Sequence, residues 1–136
     1  KAAGLPAGVA GHLPRIFDWA EEHLDLDFYM CSYYNPSPRD KQAGYADAQE
    51  KYLEEDRQRM LARIKTLAHP AIHYKVMAAG RNDPKESLFL AARHMRPGDA
   101  VCVGFFVRDN PNMMAEDIAW LEQGLAQNNQ TQEKIK

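Results

Sequence analysis

IHYKVMAAGRNDPKESLFLAARHMRPGDAVCVGFFV, residues 72–107, holds an apolar run, a break, an amphipathic run and a second apolar run. Residues 72–79 read as a strand, closed by Gly80-Arg81-Asn82. Asp83-Pro84-Lys85-Glu86 then supplies an N-cap, a proline in the first helical turn and an acid at the third position, a combination that starts helices. Leu88, Phe89, Ala91, Ala92 and Met95 carry that helix to Arg96-Pro97-Gly98-Asp99. Residues 100–107, with valines at 101, 103 and 107, read as the next strand. Two apolar strands joined by a helix make a parallel βαβ unit.

The same alternation extends outward on both sides. Residues 5–11 are a short Gly- and Ala-rich strand, followed by a helix over 13–23 with Ile16, Phe17, Trp19 and Ala20 on one face and Asp18, Glu21 and Glu22 on the other. Residues 28–34, four of them aromatic, read as a buried strand, and Asn35-Pro36-Ser37-Pro38-Arg39-Asp40 as a loop. A charged helix over 45–67 carries Ala48, Tyr52, Leu53, Met60, Ile64 and Leu67 as its apolar stripe. Beyond 107, Asp109-Asn110-Pro111-Asn112 restarts a helix over 113–125, and Gln/Asn-rich 127–136 has no stripe and reads as a flexible tail. The fold class is therefore α/β: four βα units in one domain over 1–126, with strands too apolar to leave a face in water. A closed (β/α)8 barrel takes about 250 residues, so four units amount to half a barrel or a small open sheet.

Composition narrows the function classes. The 136 residues are 45% hydrophobic and 26% charged, with 17 Lys+Arg against 19 Asp+Glu and a net charge of −2. That balance excludes the basic footprint of a nucleic-acid or polybasic membrane binder, and no apolar run approaches the length of a membrane span. Cys31 and Cys102, each in an apolar run, read as reduced core thiols of a cytoplasmic protein. The chain begins at Lys1 with no initiator Met, so an upstream segment is expected.

In parallel α/β folds the chemistry gathers where strands end and helices begin. Those positions hold Gly11 and His12, then Tyr34, Asn35 and Arg39, then Gly80, Arg81 and Asn82, then Arg108, Asp109 and Asn110. Lys75 lies inside an apolar run, on one strand face with His73, Met77 and Ala79. There it reads either as a buried ammonium available for catalysis or anion binding, or as a structural lysine paired or reaching the barrel mouth. Arg81 and Arg108, each just before a helix, form candidate anion sites, and His12 is a candidate acid/base. No HExxH, CxxC or close His/Asp/Glu set points to a metal, and no glycine-rich phosphate loop is present.

Four segments resemble the C-terminal half of the aldo/keto reductases, a TIM-barrel oxidoreductase family. Gly8-Val9-Ala10-Gly11-His12 with Pro14 resembles its G-V-S-N segment, and Tyr34-Asn35-Pro36 its Y-N-P. Lys75-Val76-Met77-Ala78-Ala79-Gly80 is similar to its K-P-L-A-G-G, and Val101-Cys102-Val103-Gly104 with Glu116-Asp117-Ile118-Ala119 to its closing motifs. The resemblance covers about residues 4–121. It implies half of a (β/α)8 barrel with NADP as cofactor and carries Arg108 over to the cofactor phosphate; together with the strand-end positions the cofactor-binding candidates are Arg108, Arg81, Asn82 and Asp117, and the catalytic candidates are Lys75 and His12. Two departures stand out: Ala10-Gly11 replace the Ser-Asn that holds the nicotinamide, and Asp117 replaces an Asn near the adenine. The family's catalytic tetrad belongs to the absent N-terminal half, so the expected partners are a small-molecule ligand and either that half or a second copy. The alternatives are a non-catalytic self-associating half-barrel and a Schiff-base barrel built on Lys75.

Overall fold

Four short strands form one parallel sheet in chain order. They are β1 Gly8–Gly11, β2 Phe28–Ser32, β3 Ala71–Tyr74 and β4 Ala100–Cys102. The helices are α1 Pro14–His23, α2 Glu54–Ile64, α3 Pro84–His94 and α4 Met113–Glu133. The computed structural model describes residues 3–36 and 51–133, with side chains to 128. Arg39, Asp40 and the first residues of the expected 45–67 helix lie outside the described residues.

The register assigns two faces. Gly11, Cys31, His73 and Val101 stand side by side on one, and Ala10, Met30, Ile72 and Ala100 on the other. Tyr29, Cys31 and Ala71 of the first face join Phe17, Met60, Leu61 and Ile64 of the helices in one buried cluster, and Val9 and Val101 pack against it. The second face has no such cover. Gly8, Ala10, Ala100 and Cys102 are exposed, and Phe28, Met30, Ile72 and Tyr74 are half-buried. Parallel strands in sequential order, with the right-handed crossovers that rule such units, put the following helices on one side of the sheet, an order compatible with a (β/α) barrel.

That one-sidedness corrects the expectation that neither strand face meets water. The small residues of β1 and β4 keep the apolar area of the second face low enough to stand partly wet. Cys102 belongs to this face, so of the two free thiols Cys31 alone is buried.

Both later strands are shorter than their apolar runs. β3 stops at Tyr74 because Lys75 turns left-handed, with φ of 56°, and Ala78 and Ala79 follow at 50° and 53°. Lys75 therefore stands just past the sheet, half-buried, and does not share a strand face with His73. With β3 ended, β4 has no neighbour beyond Cys102, so 103–107 leaves the sheet and Phe105, Phe106 and Val107 are exposed. At the other terminus, α4 runs past the expected 125 to Glu133. Gly124 lets it lie close on α3: a Cβ there would sit 2.8 Å from Ala92 Cβ. Asn128 Nδ2, one turn on, donates to Ala92 O.

The amino-terminal side of the sheet is pinned by a buried polar network. Asp99 accepts from Ala71 N at 2.7 Å, from Arg96 N at 2.8 Å and from the Arg96 guanidinium at 3.0 and 3.1 Å. Arg96 also donates to Leu67 O and His69 O. His73 Nε2 lies 3.4 Å from Asp99, while its Nδ1 is 2.9 Å from the Tyr33 hydroxyl. Burial holds His73 below its ordinary pKa despite Asp99. Burial pushes the Asp99 carboxyl up, but Arg96 and the two amides outweigh it and hold the group low.

Candidate functional site

The loops at the carboxyl ends of β3 and β4 border a half-open cavity of about 560 Å³. Its walls are apolar, from Val76, Met77, Val103, Phe105, Phe106 and Met113, and Tyr52, Lys75 and Asp117 are among its lining residues. The turn after β3 shapes one wall. Ala78 N, Gly80 N and Asn82 N donate to Lys75 O and twice to Met77 O, closing a knot in which Lys75, Ala78 and Ala79 hold left-handed conformations. Non-glycine residues there cost about 1–3 kcal/mol each and persist where the surroundings enforce them.

Asp117 is the anomaly of the cavity. It is only 6% exposed, and neither carboxylate oxygen has a hydrogen-bond partner. Burial, and secondarily the charge of Glu116, raise its pKa above the ordinary carboxylate range. Buried carboxylates normally find donors, and this one stands beside the cavity with both oxygens closed off by protein and unpartnered.

The other sequence candidates are distributed over separate places. Arg81 and Asn82 line a second cavity of about 950 Å³ over the first turn of α3, with Arg57, Lys85, Arg93, Asp83 and Glu86. Asp83 caps α3 by accepting from Glu86 N at 2.8 Å, as its sequence pattern requires. Asn82 is held by the fold: its Nδ2 donates to the Tyr34 hydroxyl at 2.8 Å, tying the β3–α3 loop to the end of β2. Arg81 lies with its Cζ 4.5 Å from the Tyr52 ring centre and donates to Ala78 O. Arg108 is exposed and lines neither cavity. His12 is half-buried, its ring 5.9 Å from that of Tyr74. The structure thus brings Lys75 and Asp117 to one cavity and Arg81 and Asn82 to another.

Of the four aromatics in the strand read from sequence as buried, Tyr29, Tyr33 and Tyr34 are in the core and Phe28 is half-buried. The Arg96–Asp99 clamp was not singled out from the sequence. Its signal was an Arg and an Asp three residues apart immediately before an apolar strand.

Among the described residues no helix is long and apolar enough to cross a membrane, and no group of three or more His, Cys, Asp or Glu side chains could hold a metal ion. The chain matches no family model, no curated protein and no solved structure. The likeness to the reductases therefore rests on the four short motifs.

Proposed function

We propose that this chain is one half of a small-molecule-binding (β/α)8 barrel, equivalent to the C-terminal half of an aldo/keto reductase-like protein, and that its open sheet face is closed by four further strands. The observation that carries this reading is the one-sided helix layer. Met30 and Ile72 lie on the sheet face opposite the one that packs on the helices, and among the described residues β1 and β4 each have one edge without a neighbouring strand. In this reading the chain contributes binding, while hydride transfer requires the half that bears the family's acid.

The experiment is light scattering of the isolated chain beside its Met30→Lys and Ile72→Lys variants. The lone chain should associate with itself as concentration rises, and either lysine should abolish this. In monomeric protein each lysine should cost less than about 1 kcal/mol, because both positions are only half-buried and the long side chain can carry its ammonium to water. A loss of about 3 kcal/mol or more, as for a lysine forced into a closed core, refutes the reading.

The excess of cations around the second cavity favours an additional reading, in which Arg57, Arg81 and Arg93 hold the phosphate of NADP. Saturable NADPH fluorescence that Arg81→Ala weakens supports it, and a titration that stays flat removes it. Arg108→Ala, on the exposed turn, should leave that titration unchanged.

A further inference from the structure

We propose that the strands closing the open sheet face belong to a second copy of this chain, and that each copy seats its β4–α4 end on the β1–α1 end of the other. The inference rests on the reading of that face as the inside of a barrel, and adds the identity of the partner. Its own observation is the place of the large exposed hydrophobics. At one end of the sheet Leu5, Trp19 and Leu24 flank β1 and α1. At the other, Phe105, Phe106 and Val107 follow β4, and Met114 and Ile118 stand one turn apart on α4. Among the described residues only Leu53 lies elsewhere. β1 and β4 are also the edge strands, so an apolar flank and an edge able to pair coincide at each end.

The helices leave both flanks bare. Asp18 and Glu21 of α1 hold Arg63 of α2, so Trp19, about 160° round the helix from Glu21, stands on the flank turned away from α2, its ring stacked on His23. α4 lies on α3 through Gly124 and Asn128, which leaves Met114 and Ile118 beside that line of contact. A two-fold axis along the barrel keeps strand direction, so β4 of each copy can pair in parallel with β1 of the other at two identical seams. Two sets of four strands make eight, the number at which inward side chains just fill a barrel. The inner face suits that closure: small Ala10 and Ala100 stand on the edge strands, where the seams form, and bulky Met30 and Ile72 on the middle strands. The eight flanking side chains are each roughly half exposed, so one seam would cover on the order of 800 Å² of apolar surface. Two seams then reach the range of stable interfaces, about 1,200–2,000 Å².

The test is sedimentation of the full chain beside Trp19→Glu and Ile118→Lys, both at exposed positions, each alone and then mixed in equal amounts. The wild type should pass from monomer to dimer with concentration and stop there, because two seams use both ends of each copy. Each variant should dimerise about 10-fold more weakly or worse, the effect of spoiling an apolar anchor in an interface. The mixture should dimerise more tightly than either variant alone, since one seam is then unmodified and the other carries opposite charges. Circular dichroism checks folding, and Leu24→Glu or Met114→Lys replaces a variant that fails it. A wild type that stays monomeric or grows beyond two copies overturns the proposal, as does a mixture no tighter than its parts. Association that Met30→Lys abolishes and both end variants spare overturns this pairing alone and leaves the open-face reading standing. If the chain stays monomeric, the stability of Met30→Lys still judges that reading separately.

Discussion

Replacing Asp99 by Ala should come close to unfolding the protein. The side chain is fully buried and accepts from the amides of Ala71 and Arg96 and from two guanidinium nitrogens of Arg96, with His73 Nε2 at 3.4 Å. Truncation leaves the Ala71 amide without its partner at the start of β3. It also leaves Arg96 facing only the carbonyls of Leu67 and His69, with no counter-charge. Breaking a buried, hydrogen-bonded ion pair costs about 3–5 kcal/mol, against a total stability of about 5–15 kcal/mol for an ordinary domain. Asp99→Asn keeps the shape and one acceptor oxygen, so its loss should be about half as large. Glu54→Ala is the control: its Arg57 partner is paired at the surface, a contact worth less than about 1 kcal/mol. The assay is urea unfolding followed by far-UV circular dichroism, with stability extrapolated to water. The slope should be unchanged while the midpoint falls. A loss below about 1 kcal/mol for Asp99→Ala, no greater than for Glu54→Ala, would refute the view that this clamp holds the amino-terminal side of the sheet.

Acid should destabilise the fold in two stages. His73 and His94 are held below their ordinary value of 6.5 by burial. The unfolded chain therefore binds more protons below that pH, and stability falls as pH drops through it. Asp99, held below its ordinary 3.8, adds a second loss at lower pH. Melting curves from pH 7.5 to 3 should show both, and His73→Gln with His94→Gln should flatten the first. Ala79→Gly should raise stability by about 1 kcal/mol in the same melts by relieving a left-handed alanine, whereas Gly80→Ala should lower it. Gly124→Val should cost about 1–3 kcal/mol by forcing α4 off Ala92 and Phe89, read as a lower urea midpoint. A maleimide should label exposed Cys102 in the folded chain and spare Cys31, whose thiol burial pushes up to about 12, until denaturant is added. Mass spectrometry of the labelled peptides would check this.

Elements with local chemical punctuation were legible in the sequence. Asp83-Pro84-Lys85-Glu86 starts α3 where its pattern says, and the stripe of Phe17 and Ala20 defines α1 to within a residue. The ends of β3 and β4 were not legible, because the left-handed turn begins at Lys75 and passes through Ala78 and Ala79 before it reaches Gly80, the first residue of a kind that signals one. Once β3 stops, β propensity at Val103 and Val107 has no neighbour to pair with, a tertiary fact that the sequence does not carry. Of the site, Lys75 was visible through the cost of a charge in an apolar run, although its place changed from the sheet to the turn. Asp117 was reached only through a family likeness. What makes it notable, burial without a donor, depends on tertiary packing that the sequence does not carry.

The order β1-β2-β3-β4 with all helices on one side has no internal stop. A sheet whose strand order reverses partway acquires a fixed centre, whereas one wound in a single sense is an arc of a screw that any number of like units can extend. Four more units would span from the free edge of β4 round to that of β1, whichever end of the chain they join. Ring closure then becomes a matter of count and curvature, and tandem duplication or fusion of such arcs would produce a sealed ring without inventing a new fold.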